Sequence, residues 1–420
     1  MSNNLLTDQH ITQEALMILE NSLSFTKNVT REYDKEYKNA HRGATIFARK
    51  PPRYTVRDGQ NVVIQDTTQT QVPITLNHQY GVDVQFSSAD LALSIEDFSE
   101  NVLAPQIVQI ANAIDFAGLS LALSVPNAVG TPGTTPGTGS TAQQALAVYS
   151  QAGALLDKNA APRDGNRSLV INEDAQAITV PNLSGLFNPT TDVAKQYQDG
   201  QMGRALGFKW NMSQNVNVFT FGAQGGAPKV ASAPAPATQP FGLTLSSSTS
   251  TFAVSTNGWT ASTNVLNPGD IVSFAGSYRV NPVSRQNAGA IKQFVVTNVV
   301  TSDGTGAATL QLAEPMIVAG AYQNVTAVPA VNAAITVVGA ANTVSPQNLA
   351  FHKNAFTFAC APLPLPGGVH MAAMKDDDQL GIAMRFVAAY DIRTDLFIGR
   401  FDVLCGWAAL RPEWAVRIPG

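Results

Sequence analysis

The sequence has few cysteines, few charges and no long uninterrupted apolar run, and each shortage excludes a class of protein. Two cysteines in 420 residues, Cys360 and Cys405, are too few for a disulfide framework, so we expect two reduced, partly buried thiols. No stretch of about 18 apolar residues lacks a charge or a proline, so no transmembrane helix is expected. Residues 1–16 have neither a basic segment nor an apolar core, which argues against a secretory signal and for synthesis in the cytoplasm.

The low charge has two possible explanations. Charged residues make up only 13% of the chain and hydrophobic residues 45%, whereas the surface of a soluble monomer normally carries more charge. Either much of the surface is buried in subunit contacts, or a β-rich surface is covered by Ser, Thr, Asn and Gln. The formal net charge of −4 argues against a broad basic surface for nucleic acid.

Residue types that carry catalysis or bind metals do not cluster. The five histidines are scattered, at His10, His41, His78, His352 and His370, and neither a His-x-x-x-His pair nor a Cys-x-x-Cys motif is present. Residues 130–140 are glycine-rich but lack the Gly-Lys-Ser/Thr ending of a phosphate loop. The run Lys375-Asp376-Asp377-Asp378 lacks the alternating ligand spacing of a calcium loop, so we expect a solvated surface turn. The sequence therefore predicts no catalytic residue, no cofactor, no metal site and no enzyme activity.

An apolar helix is the central feature of what is present. From Pro105 onward, apolar residues recur at the i, i+3, i+4, i+7 spacing of an amphipathic helix, and Val125-Pro126 ends it. Phe116 and Leu119 make the opposite face apolar as well, so we expect this helix to be buried between layers. A short helix capped by Ser94 precedes it, and a further helix is predicted over residues 12–37.

Residues 44–86 alternate apolar and polar side chains around a turn signal at Asp58-Gly59, which predicts a long two-stranded ribbon. Such a ribbon is marginal alone and is expected to lie on another subunit. A group of charged residues lies along it, and we interpret these residues as pairing across a subunit contact rather than binding nucleic acid: Arg49, Lys50, Arg53, Arg57, Asp58 and Asp66.

The remainder is a mixed fold interrupted by a β-rich segment. Residues 141–156 read as a helix, and residues 168–172 as a strand after a turn at Arg163-Asp164-Gly165. Residues 225–344, here called the β insert, have short β runs separated by turns, which predicts a separate barrel or sandwich. Beyond it, strands are predicted over NAFTFACAPL, AMRFVAAYDI and FIGRFDVLCGWAAL, with a hairpin at residues 393–395.

Six strings carry a family resemblance in their order and spacing: SIEDFSE with Pro105, GTPGTTP, GRALGFKWNMSQN, GDIVSFAG followed by YRVNPVSRQ, SPQNLAFHKNAFTFA, and DVLCGWAALRPEWAVRI. Over nearly its whole length the chain resembles the major capsid (coat) proteins of P22-like tailed bacteriophages. The resemblance implies an α+β, HK97-like capsid fold with an inserted, all-β, barrel-like I-domain. The implied domains are an N-terminal arm (1–43), an E-loop (44–78), a P-domain (79–140) with a spine helix (94–125), an A-domain (141–224 and 345–395), the I-domain (225–344) and C-terminal P-domain strands (396–420).

The resemblance also implies function and partners. It implies self-assembly, as pentamers and hexamers, into an icosahedral shell around a double-stranded DNA genome that is not bound sequence-specifically. A separate scaffolding protein and a portal protein are the implied partners, without a membrane, and the implied location is the virion capsid after synthesis in the host cytoplasm. Some relatives cross-link subunits through a ribbon lysine. Residues 58–70 contain no lysine and Lys50 lies at the ribbon's base, so no cross-link is predicted.

Two other readings remain open from the residues alone. One is an oligomeric surface protein or adhesin whose β insert binds glycans, which would need an exposed aromatic cluster; Trp259, Tyr278 and Tyr322 are scattered along the sequence. The other is a hydrolase with an appended β domain, which would need a cleft with converging ionisable groups. Without the resemblance, the residues indicate a cytosolic, self-associating α+β protein with an inserted β domain.

Overall fold

The computed structural model describes residues 17, 19, 23–33, 45–67, 69–87, 104–139, 141–183, 203–241, 251–377 and 382–420. These residues form a mixed α+β fold in which strands predominate. The helices are α1 (Ala104–Leu119), α2 (Ala142–Lys158) and α3 (Glu173–Leu183). The strands are β1 (Thr45–Arg49), β2 (Gln71–Thr75), β3 (His78–Ser87), β4 (Arg167–Ile171), β5 (Arg204–Ala205), β6 (Phe208–Met212), β7 (Val218–Thr220), β8 (Gly226–Val230), β9 (Phe252–Trp259), β10 (Asn264–Leu266), β11 (Ile271–Val280), β12 (Asn287–Val295), β13 (Val300–Thr301), β14 (Ala308–Leu312), β15 (Ile335–Val337), β16 (Val344–His352), β17 (Phe356–Ala361), β18 (Met371–Asp377), β19 (Ile382–Asp391), β20 (Leu396–Ala409) and β21 (Ala415–Pro419).

The chain separates into two compact units. Unit 1 comprises residues 1–48, 73–119 and 356–410, and unit 2 comprises residues 49–72, 120–355 and 411–420. In unit 1 the long strand β20 pairs with β3, β17 and β19, and β18 pairs with β19, all antiparallel. The predicted strands after the β insert are confirmed, as is the hairpin between β19 and β20, where Asp395 has a positive φ of 53°.

The helix α1 packs on the unit 1 sheet through small residues. A Cβ built on Gly118 would lie 2.7 Å from Trp407 and 2.8 Å from Phe25, so only glycine allows these rings to approach α1. The α-helix ends at Leu119 and continues as a 3-10 helix over Ser120–Ser124, because the chain must leave the α region before Pro126. The predicted helix is therefore confirmed from its start, but its last turn is tighter than expected.

Burial of α1 differs from the prediction. Leu119 is 1% exposed, but Phe116 is 55% exposed, so the expectation that both apolar faces are buried was wrong for Phe116. By length and composition alone, the segment Pro105–Ser124 could cross a membrane. Asp115, in its middle, is 1% exposed and its carboxylate is held by hydrogen bonds, which we interpret as the signature of a core helix. The short helix predicted at Ser94 lies outside the described residues.

The helix predicted over residues 12–37 was wrong in its second half. Met17 and Leu19 are helical, but residues 23–33 are not α-helical and contain only a 3-10 helix over Thr26–Asn28. Asp115 accepts hydrogen bonds from the backbone N–H groups of Ser24 and Thr26. Because these N–H groups already have an acceptor, they do not require the hydrogen bonds of an α-helix. Residues 34–44, which include most of the charged arm, lie outside the described residues.

In unit 2, strands from both sides of the β insert form one sheet, in the order β21-β16-β4-β6-β5. The helix α2 packs on it and begins at Thr141, whose side chain accepts from the Gln144 N–H as an N-cap. The apolar core between α2 and this sheet includes Tyr149 and Trp210, whose ring centroids are 4.8 Å apart. The predicted helix, strand and turn of residues 141–172 are confirmed.

The β insert forms three small antiparallel sheets, ordered β10-β13, β12-β11-β15 and β14-β9-β8. They enclose one apolar core that includes Val254, Phe274, Phe294 and Leu310. The predicted short strands are confirmed, because each β run falls on an observed strand from β9 to β15. The turn at residues 267–269 is also confirmed: Gly269 has φ 103°, a conformation that favours glycine.

Candidate subunit-contact site

The ribbon of residues 50–70 leaves the β1–β2 pair and is held together largely by side chains. Near its base the Lys50 N–H donates to the Thr70 carbonyl at 2.8 Å. Farther out, the Thr55 N–H donates to Gln65 Oε1 at 2.7 Å, and Gln65 Nε2 donates to the Thr55 carbonyl at 2.6 Å. The paired strands are therefore shorter than predicted, because a glutamine side chain replaces the backbone ladder beyond the base.

The tip of the ribbon turns where the sequence predicts. Gly59 has φ 107°, and the guanidinium of Arg57 donates to the carbonyls of Gly59 and Asn61, the latter at 2.9 Å. Arg57 therefore stabilises the turn of its own chain, although it is exposed. The predicted turn at Asp58-Gly59 is confirmed.

Arg53 faces its own subunit. Its guanidinium lies 5.8 Å from the ring centroid of Tyr322 in the β insert and forms an ion pair with Glu413 at 3.6 Å. Its backbone N–H donates to the Tyr322 hydroxyl at 3.4 Å. Arg285 strengthens the same connection by donating to the Tyr54 carbonyl at 3.1 Å. These contacts anchor the base of the ribbon to the rest of unit 2.

The other predicted contact residues are not brought together. Arg49, Asp58 and Asp66 are exposed and Lys50 is half-buried, and within the part of the chain that the structure describes none of the four forms an ion pair. The expected Arg–Asp pairing is thus not formed inside one subunit. A role for these charges at a subunit contact stays a prediction.

Sequence reasoning missed the apolar side chains at the ribbon tip. Val56, Val62, Val63 and Ile64, here called the apolar tip, are respectively 100%, 79%, 61% and 89% exposed. A run of three consecutive apolar residues beside a polar turn is a signal that could have found them. Exposed apolar side chains grouped on one segment are typical of interaction surfaces.

A buried charged side chain connects the β insert to the rest of unit 2. Arg279 is 1% exposed and its Nη1 donates to Asn127 Oδ1 at 2.7 Å and to Asn159 Oδ1 at 2.6 Å. Burial lowers the pKa of Arg279 to about 10, opposed by the nearby charge of Glu314. The Gln293 side chain adds a two-way bond to the backbone of Ala128, donating at 3.1 Å and accepting at 2.9 Å.

Two acidic residues of the β insert have pKa values that are shifted in opposite directions. Burial would raise the pKa of Glu314, but its ion pair with Lys292, at 2.7 Å, together with the charges of Arg279 and Lys50 lowers that pKa. Burial raises the pKa of Asp270 to about 6, although the Asn267 and Gly222 N–H groups and the charge of Arg417 oppose it. These groups are used in packing.

Metal-ligating side chains do not converge: no group of three or more His, Cys, Asp or Glu residues suited to a metal ion occurs among the described residues. The surface turn predicted at Lys375–Asp378 was wrong for its first three residues. Lys375, Asp376 and Asp377 lie on β18, opposite Met384, Ala383 and Ile382 of β19, because strand pairing with β19 extends to this point. Asp378 lies outside the described residues.

Comparison with known proteins gave a family match over almost the whole chain. The family model described as the P22 coat protein (gene protein 5) matches residues 9–420. A comparison with curated protein sequences gave no match.

Solved structures of phage proteins resemble the chain more distantly. One from Mycobacterium phage Che8 is 13% identical with a TM-score of 0.45, covering 94% of this chain and 90% of that chain. The mature capsid of bacteriophage PhiM1 is 10% identical with a TM-score of 0.39, covering 91% and 83%. The CUS-3 coat protein I-domain is 20% identical with a TM-score of 0.20, covering 27% of this chain and 95% of that domain. All three TM-scores are below 0.5, so only the family match shows the family to which this chain belongs.

Proposed function

The chain belongs to the P22 coat protein family, and from this premise we propose that its copies close into an icosahedral shell of pentamers and hexamers through contacts made by the ribbon. As a coat protein of this family, it is a major capsid protein that forms the shell of a phage virion. The family is structural, and its members build a capsid by self-assembly. In this proposal, contacts made by the ribbon hold neighbouring copies together.

The exposed apolar tip is the observation that carries the proposal. Burying a Val or Ile side chain stabilises a contact by roughly 1.5–3 kcal/mol relative to leaving it in water. Four such side chains on one ribbon would contribute about 6–12 kcal/mol towards the cost of ordering a segment that has few backbone hydrogen bonds of its own. A second copy of the chain is the partner present at the highest local concentration in a shell, so we infer that the tip lies on a neighbouring subunit.

The finer architecture that we propose is the HK97-like one. In it, residues 44–78 are the E-loop, residues 225–344 are the I-domain, and the domains described for P22-like coat proteins take the remaining segments. The shared sheet of β4, β6 and β16 supports an A-domain interrupted by an insertion, since β16 follows the β insert and β4 and β6 precede it. The two compact units divide each of the segments 345–395 and 396–420 between them. The proposed domain boundaries therefore follow the family's domains and do not coincide with the compact units of this chain.

The further partners are also proposals. We expect a separate scaffolding protein to direct assembly, a portal protein to occupy one vertex, and double-stranded DNA to fill the shell without sequence-specific contacts. The net charge of −4 supports weak attraction for the genome, because strong phosphate binding requires a basic surface. The glycan-binding alternative is not favoured: Trp259 is 5% exposed, and its indole N–H donates to Thr256 inside the β insert.

Electron microscopy of the purified full chain, alone and with its scaffolding protein, tests this function. We expect closed shells of uniform diameter in at least one of the two conditions. Monomers under both conditions would contradict the proposal. Image reconstruction of the shells would then locate the apolar tip against its neighbour, and a tip exposed to solvent in the shell would exclude the ribbon as the contact.

A further inference from the structure

A cleft of about 360 Å³ in unit 2 is lined by arginines from three places in the sequence. Arg163 comes from the turn after α2, Arg167 from the start of β4, and Arg204 from β5. Leu206 and Gly207 complete one wall. None of these residues belongs to the ribbon, so the cleft is separate from the contact described above.

The cleft carries an excess of positive charge. Arg163 Nε and Arg167 Nη2 each donate to Asp157 Oδ1 at 2.8 Å, and the hydrogen bond from Arg163 is the main cause that lowers the pKa of Asp157. One carboxylate therefore pairs with two of the three guanidinium groups that line the cleft. Arg204 has no ion pair among the described residues, and it lies so close to the turn that a Cβ on Gly165 would be 2.8 Å from its Nη2. The nearby carboxylate of Asp164 is turned away, since it accepts from Asn166 and contacts His352.

Arg167 gives the cleft a fixed donor. Its side chain is 6% exposed, and its Nε and Nη2 donate to the carbonyls of Pro162 and Ala161 at 2.9 and 2.7 Å. Its Nη1 has no hydrogen-bond partner in the described part of the chain. A guanidinium held in this way loses little further freedom when it binds a planar anion, so the site is preorganised for a carboxylate.

An apolar residue is held in an unfavourable conformation at the rim. Ala205 pairs with Phe208, so Leu206 and Gly207 form a two-residue hairpin turn in which both φ angles are positive, 54° and 82°. Asn-Gly is the sequence that this turn favours, and a leucine is strained in the left-handed region because its Cβ approaches the carbonyl oxygen that follows. Leu206 is nevertheless 38% exposed beside the arginines. Burial of Leu206 within the subunit therefore does not offset the cost of its backbone conformation.

We propose that this cleft binds an acidic side chain of a second copy of the chain in the assembled shell, with an apolar neighbour of that side chain packing on Leu206. The proposal rests on the shell-forming function. The partner is inferred from charge complementarity, because the chain carries 30 acidic against 26 basic residues. A concave site of this volume fits one carboxylate, whereas duplex DNA requires an extended row of phosphate contacts.

Site-specific photo-crosslinking tests the partner. p-Benzoylphenylalanine replaces Leu206 in the full chain, shells are assembled and irradiated, and the linked peptides are identified by mass spectrometry. The expected product is a covalent dimer whose second peptide contains Asp or Glu. Products attached to packaged DNA, products linked only within one chain, or no dimer at all would each overturn the proposal.

A substitution measures the contribution of the charge. Arg204→Gln removes the unpaired guanidinium, and Lys229→Gln removes an exposed cation of the same unit outside the cleft. We expect Arg204→Gln to raise the chain concentration needed for shell formation by about tenfold, in line with the loss of one charge-assisted hydrogen bond, and Lys229→Gln to leave it unchanged. Equal assembly by Arg204→Gln and wild type would overturn the cleft contact. Failure of the wild-type chain to form shells would instead refute the assembly function itself.

Discussion

Asp115 of α1 caps the 3-10 helix that begins at Thr26. Its carboxylate accepts from the N–H and hydroxyl groups of both Ser24 and Thr26 and from the N–H of Phe25, at 2.5–3.1 Å. The cap side chain thus comes from a distant segment, since Phe25 itself offers none. The contact connects the N-terminal segment to α1 inside unit 1 and uses the only charged residue of that helix.

Replacing this carboxylate should destabilise the subunit. Asp115→Ala leaves the buried N–H groups of Ser24, Phe25 and Thr26 without an acceptor, so we expect the free energy of unfolding to fall by about 3 kcal/mol. Urea titration of the unassembled chain, followed by tryptophan fluorescence, measures it, because Trp407 lies 5.5 Å from Phe25. The control Asp66→Ala, on the exposed ribbon, should change the value by no more than about 0.5 kcal/mol. Equal effects of both variants would remove the capping role.

Polar substitution of the apolar tip should separate assembly from folding. Val56→Ser combined with Ile64→Ser removes exposed apolar contacts, so we expect an unchanged unfolding midpoint and a loss of shells by electron microscopy. Val299→Ser is the control, since Val299 is 54% exposed and belongs to the β insert, not to the ribbon. Normal shells from the double variant would show that the tip is not a subunit contact.

Charge reversal on the ribbon should act through two routes. Arg53→Glu with Arg57→Glu is expected to leave the chain folded by circular dichroism and to stop assembly. Arg53→Glu also places a negative charge beside Glu413 of the same subunit, so it moves the base of the ribbon. Arg49→Glu is the cleaner test of a contact between subunits, because Arg49 is exposed and forms no ion pair among the described residues. If Arg49→Glu assembles normally while the double variant does not, the charges act by positioning the ribbon.

Asp270 should make stability depend on pH in an unusual direction. Burial raises its pKa from 3.8 to about 6, so the folded chain binds this proton more tightly than the unfolded chain. Its contribution to stability is therefore fully present below pH 3.8 and is lost as the pH rises through about 6. Relative to Asp270→Asn, wild type should gain roughly 2 kcal/mol of unfolding free energy between pH 7 and pH 4.

A second acid in the β insert provides the control for that measurement. Hydrogen bonds, first that from the Ala307 N–H, lower the pKa of Asp303, so its contribution is present above the unfolded pKa and lost as the pH falls. Relative to Asp303→Asn, wild type should therefore lose stability on acidification. A gain in both comparisons would mean that the burial of Asp270 is not the cause.

The two thiols should be unreactive in the folded chain. Cys360 lies opposite Cys405 in the β17–β20 register, and both are buried and neither forms a disulfide. Burial, with a smaller effect of Cys360, raises the pKa of Cys405 well above its ordinary value, and the thiolate is the reactive form. We expect a colorimetric thiol reagent at pH 8 to label neither cysteine until urea unfolds the chain. Rapid labelling without denaturant would contradict the buried placement of this strand pair.

Local sequence signals determined several elements of this protein. The spacing of apolar residues after Pro105 determined α1, and the N-cap Thr141 with its apolar face determined α2. Turn residues such as Gly269 and Gly59 determined where strands and the ribbon reverse. The order of six short strings carried the coat protein family, and that family gives the shell function. The helix and turn signals are local, and the order of the strings is a property of the linear sequence, so all of them can be read without knowing what lies across the fold.

Tertiary structure alone decided the rest. The helix predicted to residue 37 stops early because Asp115, far away in sequence, takes its N–H groups, and Phe116 is exposed although its helix is apolar on both faces. Arg53 faces Glu413 of its own subunit instead of a ribbon acid, and the ribbon exposes an apolar tip as well as charged side chains. Burial and ion pairing depend on groups that distant segments bring together, and no local pattern specifies which groups these are.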